Sequence, residues 1–109
     1  MLNLDSLKDV VGDDETMMRE LLMQFLETTQ QDIRQLQDAV AANNAKEVAS
    51  FAHRIKGSCF VVGAAGLAEL MAELELSGRG DHRGQFAQLL AQAIEELALV
   101  NKEIEGLMQ

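Results

Sequence analysis

Apolar residues recur at intervals of three and four along four separate stretches of the chain. The first runs Met18, Leu22, Phe25, Ile33, Leu36, Val40, with Thr29 filling the skipped turn. The second runs Val48, Ala52, Ile55, Cys59, Val62, and the third Leu67, Leu70, Met71, Leu74. The fourth runs Phe86, Leu90, Ala93, Leu97, Val100, Ile104, Leu107. Each spacing is that of an amphipathic helix with one face turned to a core. The breaks fall between the stripes, at Ala42-Asn43-Asn44, Gly63-Ala64-Ala65-Gly66 and Gly78-Arg79-Gly80-Asp81. Gly and Asn are the residues expected just past helix C-termini. A short helix over Leu4 to Val11 is expected ahead of the four, with Gly12-Asp13-Asp14 as punctuation and Asp14 as an N-cap. The prediction is an all-α fold, an antiparallel up-down-up-down four-helix bundle with a short N-terminal helix. A three-helix core with a detached fourth helix is the competing arrangement.

Length and composition agree with this. A chain of 109 residues reads as a single domain, residues 1–109, able to bury one core. It has no proline, and its four aromatic residues are all Phe. Abundant Ala, Leu, Glu, Gln and Met favour helix over strand. The net charge of −9 argues against a nucleic-acid footprint and against an anionic membrane surface. No apolar run approaches the roughly 20 residues of a membrane span. Met1-Leu2-Asn3-Leu4-Asp5 lacks the basic-then-apolar order of a secretory signal. The single Cys59 excludes an internal disulfide framework and fits a reducing compartment, so a cytoplasmic location is expected.

One segment departs from the pattern. Ala52-His53-Arg54-Ile55-Lys56-Gly57-Ser58 places a histidine, a lysine one turn later and then a glycine inside a helical stretch. A helix-interior glycine costs roughly 1 kcal/mol against alanine, and a locally broken rule is expected where a function requires it. His53 follows the inward Ala52, so it is rotated about 100° from the core line and shares its side with Ser50, Arg54 and Gly57. An imidazole with a free lone pair can attack an electrophilic phosphorus. Lys56 can pair with the oxygens of an incoming phosphoryl group, and Gly57 leaves room for a bulky partner. From Lys46 to Lys56 the chain carries Lys46, Arg54 and Lys56 against the single Glu47. An acidic partner pocket would suit that stretch, although on charge alone it reads as an ordinary solvated face.

The run His53-Arg54-Ile55-Lys56-Gly57-Ser58, followed by Gly63-Ala64 and by Leu67 to Leu74-Glu75, resembles the histidine-containing phosphotransfer (HPt) domain. The opening Leu4-Asp5, Leu7, Val11-Gly12-Asp13-Asp14, Leu22 and Phe25 is similar to that family's first segment, so the resemblance covers nearly the whole chain. It implies a four-helix bundle whose exposed histidine takes a phosphoryl group from a receiver-domain aspartate and passes it to another. Carried over by position, His53 is the phosphoacceptor, Lys56 its charge partner and Gly57 the access glycine. Glu75 falls where family members place a Glu or Gln that hydrogen-bonds the histidine. The implied partners are response-regulator receiver domains and a hybrid sensor histidine kinase. No cofactor is expected on this chain, and magnesium is expected on the receiver. A monomer without ATP-dependent kinase activity is expected.

Other chemistries lack their residues. Neither histidine makes the Glu-x-x-His pattern of a di-metal bundle, and one Cys cannot form a CxxC pair. No glycine-rich phosphate cradle follows a strand, and aromatics for base stacking are scarce. His82 is expected on the surface at a helix start. Cys59 and the helically spaced methionines are expected in the core. Glu69, Glu73, Glu95, Glu96, Glu103 and Glu105 are expected on solvated faces. Two other function classes remain open at this point. One is a helical adaptor that docks receivers without being phosphorylated. The other is an enzyme using the histidine as general base, which would need a water-excluding pocket.

Overall fold

The computed structural model describes residues 2–109; Met1, the first residue of the expected single domain, lies outside them. Five α-helices follow one another: α1 (Leu4–Val11), α2 (Glu15–Ala41), α3 (Ala45–Val62), α4 (Ala65–Arg79) and α5 (Phe86–Met108). A 3-10 turn, Arg83–Gln85, leads into α5. The 27 residues of α2 span about 40 Å at 1.5 Å per residue, close to the molecule's long dimension of 43 Å. Short connections force α2 to α5 to run alternately up and down. The last helix is not detached: α5 packs against α4 and α2. The short α1 lies across α2 and α3 and inserts Leu7 into the core.

The helix starts are set by side chains that satisfy otherwise orphaned N–H groups. The Asp14 carboxylate accepts from Met17 N at 3.0 Å, as expected of an N-cap. Asn44 does the same for Glu47 N at 3.2 Å, and Asn3 for Asp5 N at 3.0 Å. At the end of α3, Gly63 takes φ +72° and its N–H returns to the Cys59 carbonyl. The Asn3 backbone lies against it, and Asn3 N donates to Gly63 O at 2.8 Å. A Cβ on Gly63 would come within 2.2 Å of the Asn3 carbonyl oxygen. A side chain here would therefore both strain the backbone and displace the segment that leads into α1.

The second stripe is wholly inside: Val48, Ala52, Ile55, Cys59 and Val62 are all buried. Burying a side chain such as Ile55 contributes about 1.5–3 kcal/mol. The other stripes hold at their centres and loosen at their ends. Met18, Val40, Leu70 and Leu90 are half-buried, and Leu107 is exposed in the last turn of α5. Met71 is fully buried, whereas Met17 and Met23 are exposed. His82 is exposed just ahead of the 3-10 turn. Glu96 and Glu103 depart from their expected solvated places: both are half-buried, and Glu103 accepts Leu2 N at 2.8 Å, tying the chain's start to α5.

Two expected breaks are shorter than their glycines indicated. Ala65 and Gly66 belong to α4, and so do Gly78 and Arg79; the turns are confined to Gly63-Ala64 and to Gly80 through His82. Gly78 serves as a contact point instead of a helix stop. A Cβ there would stand 2.8 Å from both the Ala45 carbonyl oxygen and Ala49 N, and 2.9 Å from the Ala49 Cβ. The missing side chain lets the end of α4 lie directly on the first turns of α3, the most intimate helix pair in the molecule. At Gly57 a Cβ would meet nothing within 4 Å, so no internal packing demands that glycine. The two glycines should therefore respond oppositely to added bulk. Gly78→Val is expected to cost about 1–3 kcal/mol by overpacking, and Gly57→Ala to stabilise by about 0.5–1 kcal/mol through helix propensity. Thermal and urea unfolding of both variants measure this; equal shifts would remove the distinction.

Candidate functional site

His53 sits in the middle of α3, where the core line of Ala52 and Ile55 turns it outward. Its side chain is 63% exposed. Lys56 follows one helical turn later on the same side, with 26% of its side chain exposed. Both reach across to α4 and meet at Glu75. That carboxylate is carried inward by the same turn of helix that buries Met71 and Leu74, and its side chain is 6% exposed.

Glu75 is saturated by donors. Oε1 accepts from Lys56 Nζ at 2.7 Å. Oε2 accepts from His53 Nδ1 at 3.1 Å and pairs with Arg79 Nη2 at 2.5 Å. Burial penalises an ionised carboxylate, but these partners outweigh it. The Lys56 hydrogen bond, chiefly, draws the Glu75 carboxyl below its ordinary range; the His53 bond and the charges of Lys56 and Arg79 add to that, against desolvation. An ionised carboxylate only accepts hydrogen bonds. The ring nitrogen facing it must therefore carry the proton, an assignment made from the partner. The lone pair is left on Nε2, across the ring from Glu75 and on the exposed side. The structure thus brings three of the four singled-out residues, His53, Lys56 and Glu75, into one hydrogen-bonded group.

The fourth, Gly57, is exposed one turn beyond His53 and opens onto free space. Continuing along α3, Phe60 and Val61 follow at helical spacing and are 64% and 44% exposed. The outer face of α3 therefore carries an imidazole, then bare backbone, then an exposed aromatic. Sequence reasoning did not single out Phe60, because one apolar residue off the core line is ordinary on a protein surface.

Two further charged contacts lie beside the group. Asp32 on α2 is buried and pairs with Arg54 Nη2 at 3.2 Å. Arg54 in turn lies over the Phe51 ring, 5.8 Å from its centroid. Asp32 and Arg54 are far apart in the sequence, so no local signal pointed to the pair. Arg79 had one: Glu75 to Arg79 is an i,i+4 acid–base pair on one helix face, obscured by placing Arg79 in a break. Next to His53, an open groove runs between the α2–α3 turn, the first half of α3 and the end of α4. It is a surface trough and excludes no water. Cys59 is buried, and burial pushes its thiol up to about 12, out of range for a nucleophile at neutral pH. Among the described residues, no three His, Cys, Asp or Glu side chains are grouped to hold a metal ion. No helix among them is long and apolar enough to cross a membrane.

The fold is shared with known proteins. The model of the Hpt domain family matches residues 20–99. Histidine-containing phosphotransfer protein B (HptB) of Pseudomonas aeruginosa PAO1 superposes with a TM-score of 0.91 at 28% identity, over 96% of this chain and 91% of that one. The HPT domain of a Shewanella sensor hybrid histidine kinase shares the fold, with a TM-score of 0.82 at 18% identity, over 98% of this chain and 92% of that one. The sensor protein EvgS of Escherichia coli strain K12 is 27% identical over 104 residues, which are 94% of this chain. The chain spans only 9% of the length of that sensor. The chain belongs to the Hpt domain family, and its role is phosphotransfer within two-component phosphorelays.

The state of Glu75 is open to measurement. Its carboxyl is lower in the folded than in the unfolded chain, so its contribution to stability is present above the unfolded value and is lost as pH falls through the folded one. Urea unfolding across a pH series should show wild-type stability declining below about 4.5. Glu75→Gln should lack that component of the decline. Parallel profiles for the two proteins would mean that Glu75 is not held ionised by its neighbours.

Proposed function

We propose that the 109 residues act as one phosphorelay unit in which His53 accepts a phosphoryl group from the aspartyl phosphate of one receiver domain and delivers it to an aspartate of another. The observation that carries this is an exposed imidazole whose Nδ1 is tied to a buried carboxylate. Nε2 attacks the phosphorus with its lone pair. The N–P bond forms as the acyl phosphate P–O bond breaks, and the aspartate leaves as a carboxylate. No proton is lost: Nδ1 keeps its hydrogen, and the ring becomes cationic. Glu75 stands 3.1 Å from that nitrogen and stabilises the positive charge as it develops. Delivery to the second receiver is the reverse reaction.

Lys56 is within one turn of His53, and its ammonium can turn from Glu75 toward the phosphoryl oxygens, leaving Arg79 on the carboxylate. Phosphoryl transfer depends mainly on position and charge neutralisation, so this group suffices without an ATP site on this chain. Magnesium is expected with the receiver. Gly57 gives the receiver's backbone a close approach beside the imidazole. The competing reading is a receiver-docking adaptor that carries no phosphate; labelling of His53 separates the two.

Incubation with receiver domains phosphorylated in vitro should place acid-labile phosphate on the wild type. His53→Gln should take up none while keeping its helical circular dichroism, and normal labelling of that variant would refute the assignment. In the same assay Gly57→Leu should weaken receiver binding about tenfold or more, equivalent to roughly 1.4 kcal/mol, without loss of folding.

A further inference from the structure

Around His53, the carboxylates point inward and their cationic partners point out. Arg54 and Arg79 have side chains 57% and 66% exposed, while the Asp32 and Glu75 side chains beneath them are 4% and 6% exposed. The groove between the start of α3 and the end of α4 is lined by both arginines, by Lys46 and by Arg83, with Asp81 as its one lining carboxylate. Arg83 is fixed there by Asp81 at 2.6 Å and by the Asn43 carbonyl oxygen at 2.6 Å. Four cations thus face the groove in a chain whose net charge is −9. The other five lysines and arginines are spread over the rest of the chain, which carries all but one of its Asp and Glu side chains.

We propose that this groove is a docking surface for the acidic rim of a receiver's phosphorylation pocket, extending the contact beyond His53 on the side opposite Gly57 and Phe60. The inference rests on the phosphorelay reading above. A pocket that carries an aspartyl phosphate and a magnesium ion is built from carboxylate oxygens, so its rim is complementary to Lys46, Arg54, Arg79 and Arg83. Complementary charge acts chiefly on association rate and is screened by salt.

Lys46 is the cleanest position to test, because it is exposed and Arg54, Arg79 and Arg83 each hold a partner. The experiment uses the receiver that transfers fastest in a panel. With Lys46→Glu the association rate at low salt should fall about threefold to tenfold. The difference should vanish near 0.5 M salt, where the screening length is about 4 Å. Lys102→Glu makes the same charge change on exposed α5, away from the groove, and should leave the rate within twofold. Labelling of His53 by phosphoramidate, which needs no docking, should be equal in all three proteins. Equal slowing by both substitutions, or a loss at Lys46 that salt does not remove, would overturn the groove while leaving His53 as acceptor. A panel with no transferring receiver would overturn the phosphorelay reading and this inference with it.

Discussion

The Glu75 carboxylate is the point on which the site depends. A carboxylate taken out of water is costly unless donors replace the lost hydration. Here Lys56, His53 and Arg79 all do so, two from α3 and one from α4 itself. The same contacts dock the two helices, aim the imidazole and fix which nitrogen bears the proton. Removing the carboxylate would release all three cations or donors together. Removing one donor would leave a buried charge less well paired. On the proposed phosphorelay reading, stability and reactivity are therefore coupled at one side chain.

Close helix approach makes this possible. Gly78 lets the end of α4 rest on Ala45 and Ala49 at the start of α3. That contact places Glu75, three residues earlier, within hydrogen-bond reach of the following turns of α3. Gly57 has the opposite character. It lies on the outer side of α3, relieves no crowding and weakens the helix that carries the imidazole. A glycine kept where the fold does not require it fits a surface that another protein must approach closely. The inner side of α3 shows no such concession, with every residue from Val48 to Val62 on the core line buried.

Periodicity made the architecture legible, because the core lines of α2, α3, α4 and α5 each follow one helical face and the N-cap Asp14 is a polar residue in the expected place. His53 could be placed on the outside because it follows Ala52 by one residue. Glycine was ambiguous: the same residue ends a helix at Gly63 and permits a helix contact at Gly78, and only the neighbouring helix distinguishes them. Glutamates were ambiguous as well. Glu75 and Glu103 resemble the solvated glutamates around them in sequence, and the partners His53 and Leu2 that set them apart lie outside their own helices. The Asp32 to Arg54 pair is the clearest case of a contact with no local trace, since it is set by how α2 lies on α3.

Long-range 1H–15N correlation spectra of the His53 ring test the coupling most directly. With the ring neutral, the account requires the proton on Nδ1, held by Glu75, with Nε2 unprotonated. After phosphorylation it requires the N–P coupling at Nε2, with Nδ1 still carrying its hydrogen. A neutral ring protonated at Nε2, or phosphate bonded to Nδ1, would contradict it.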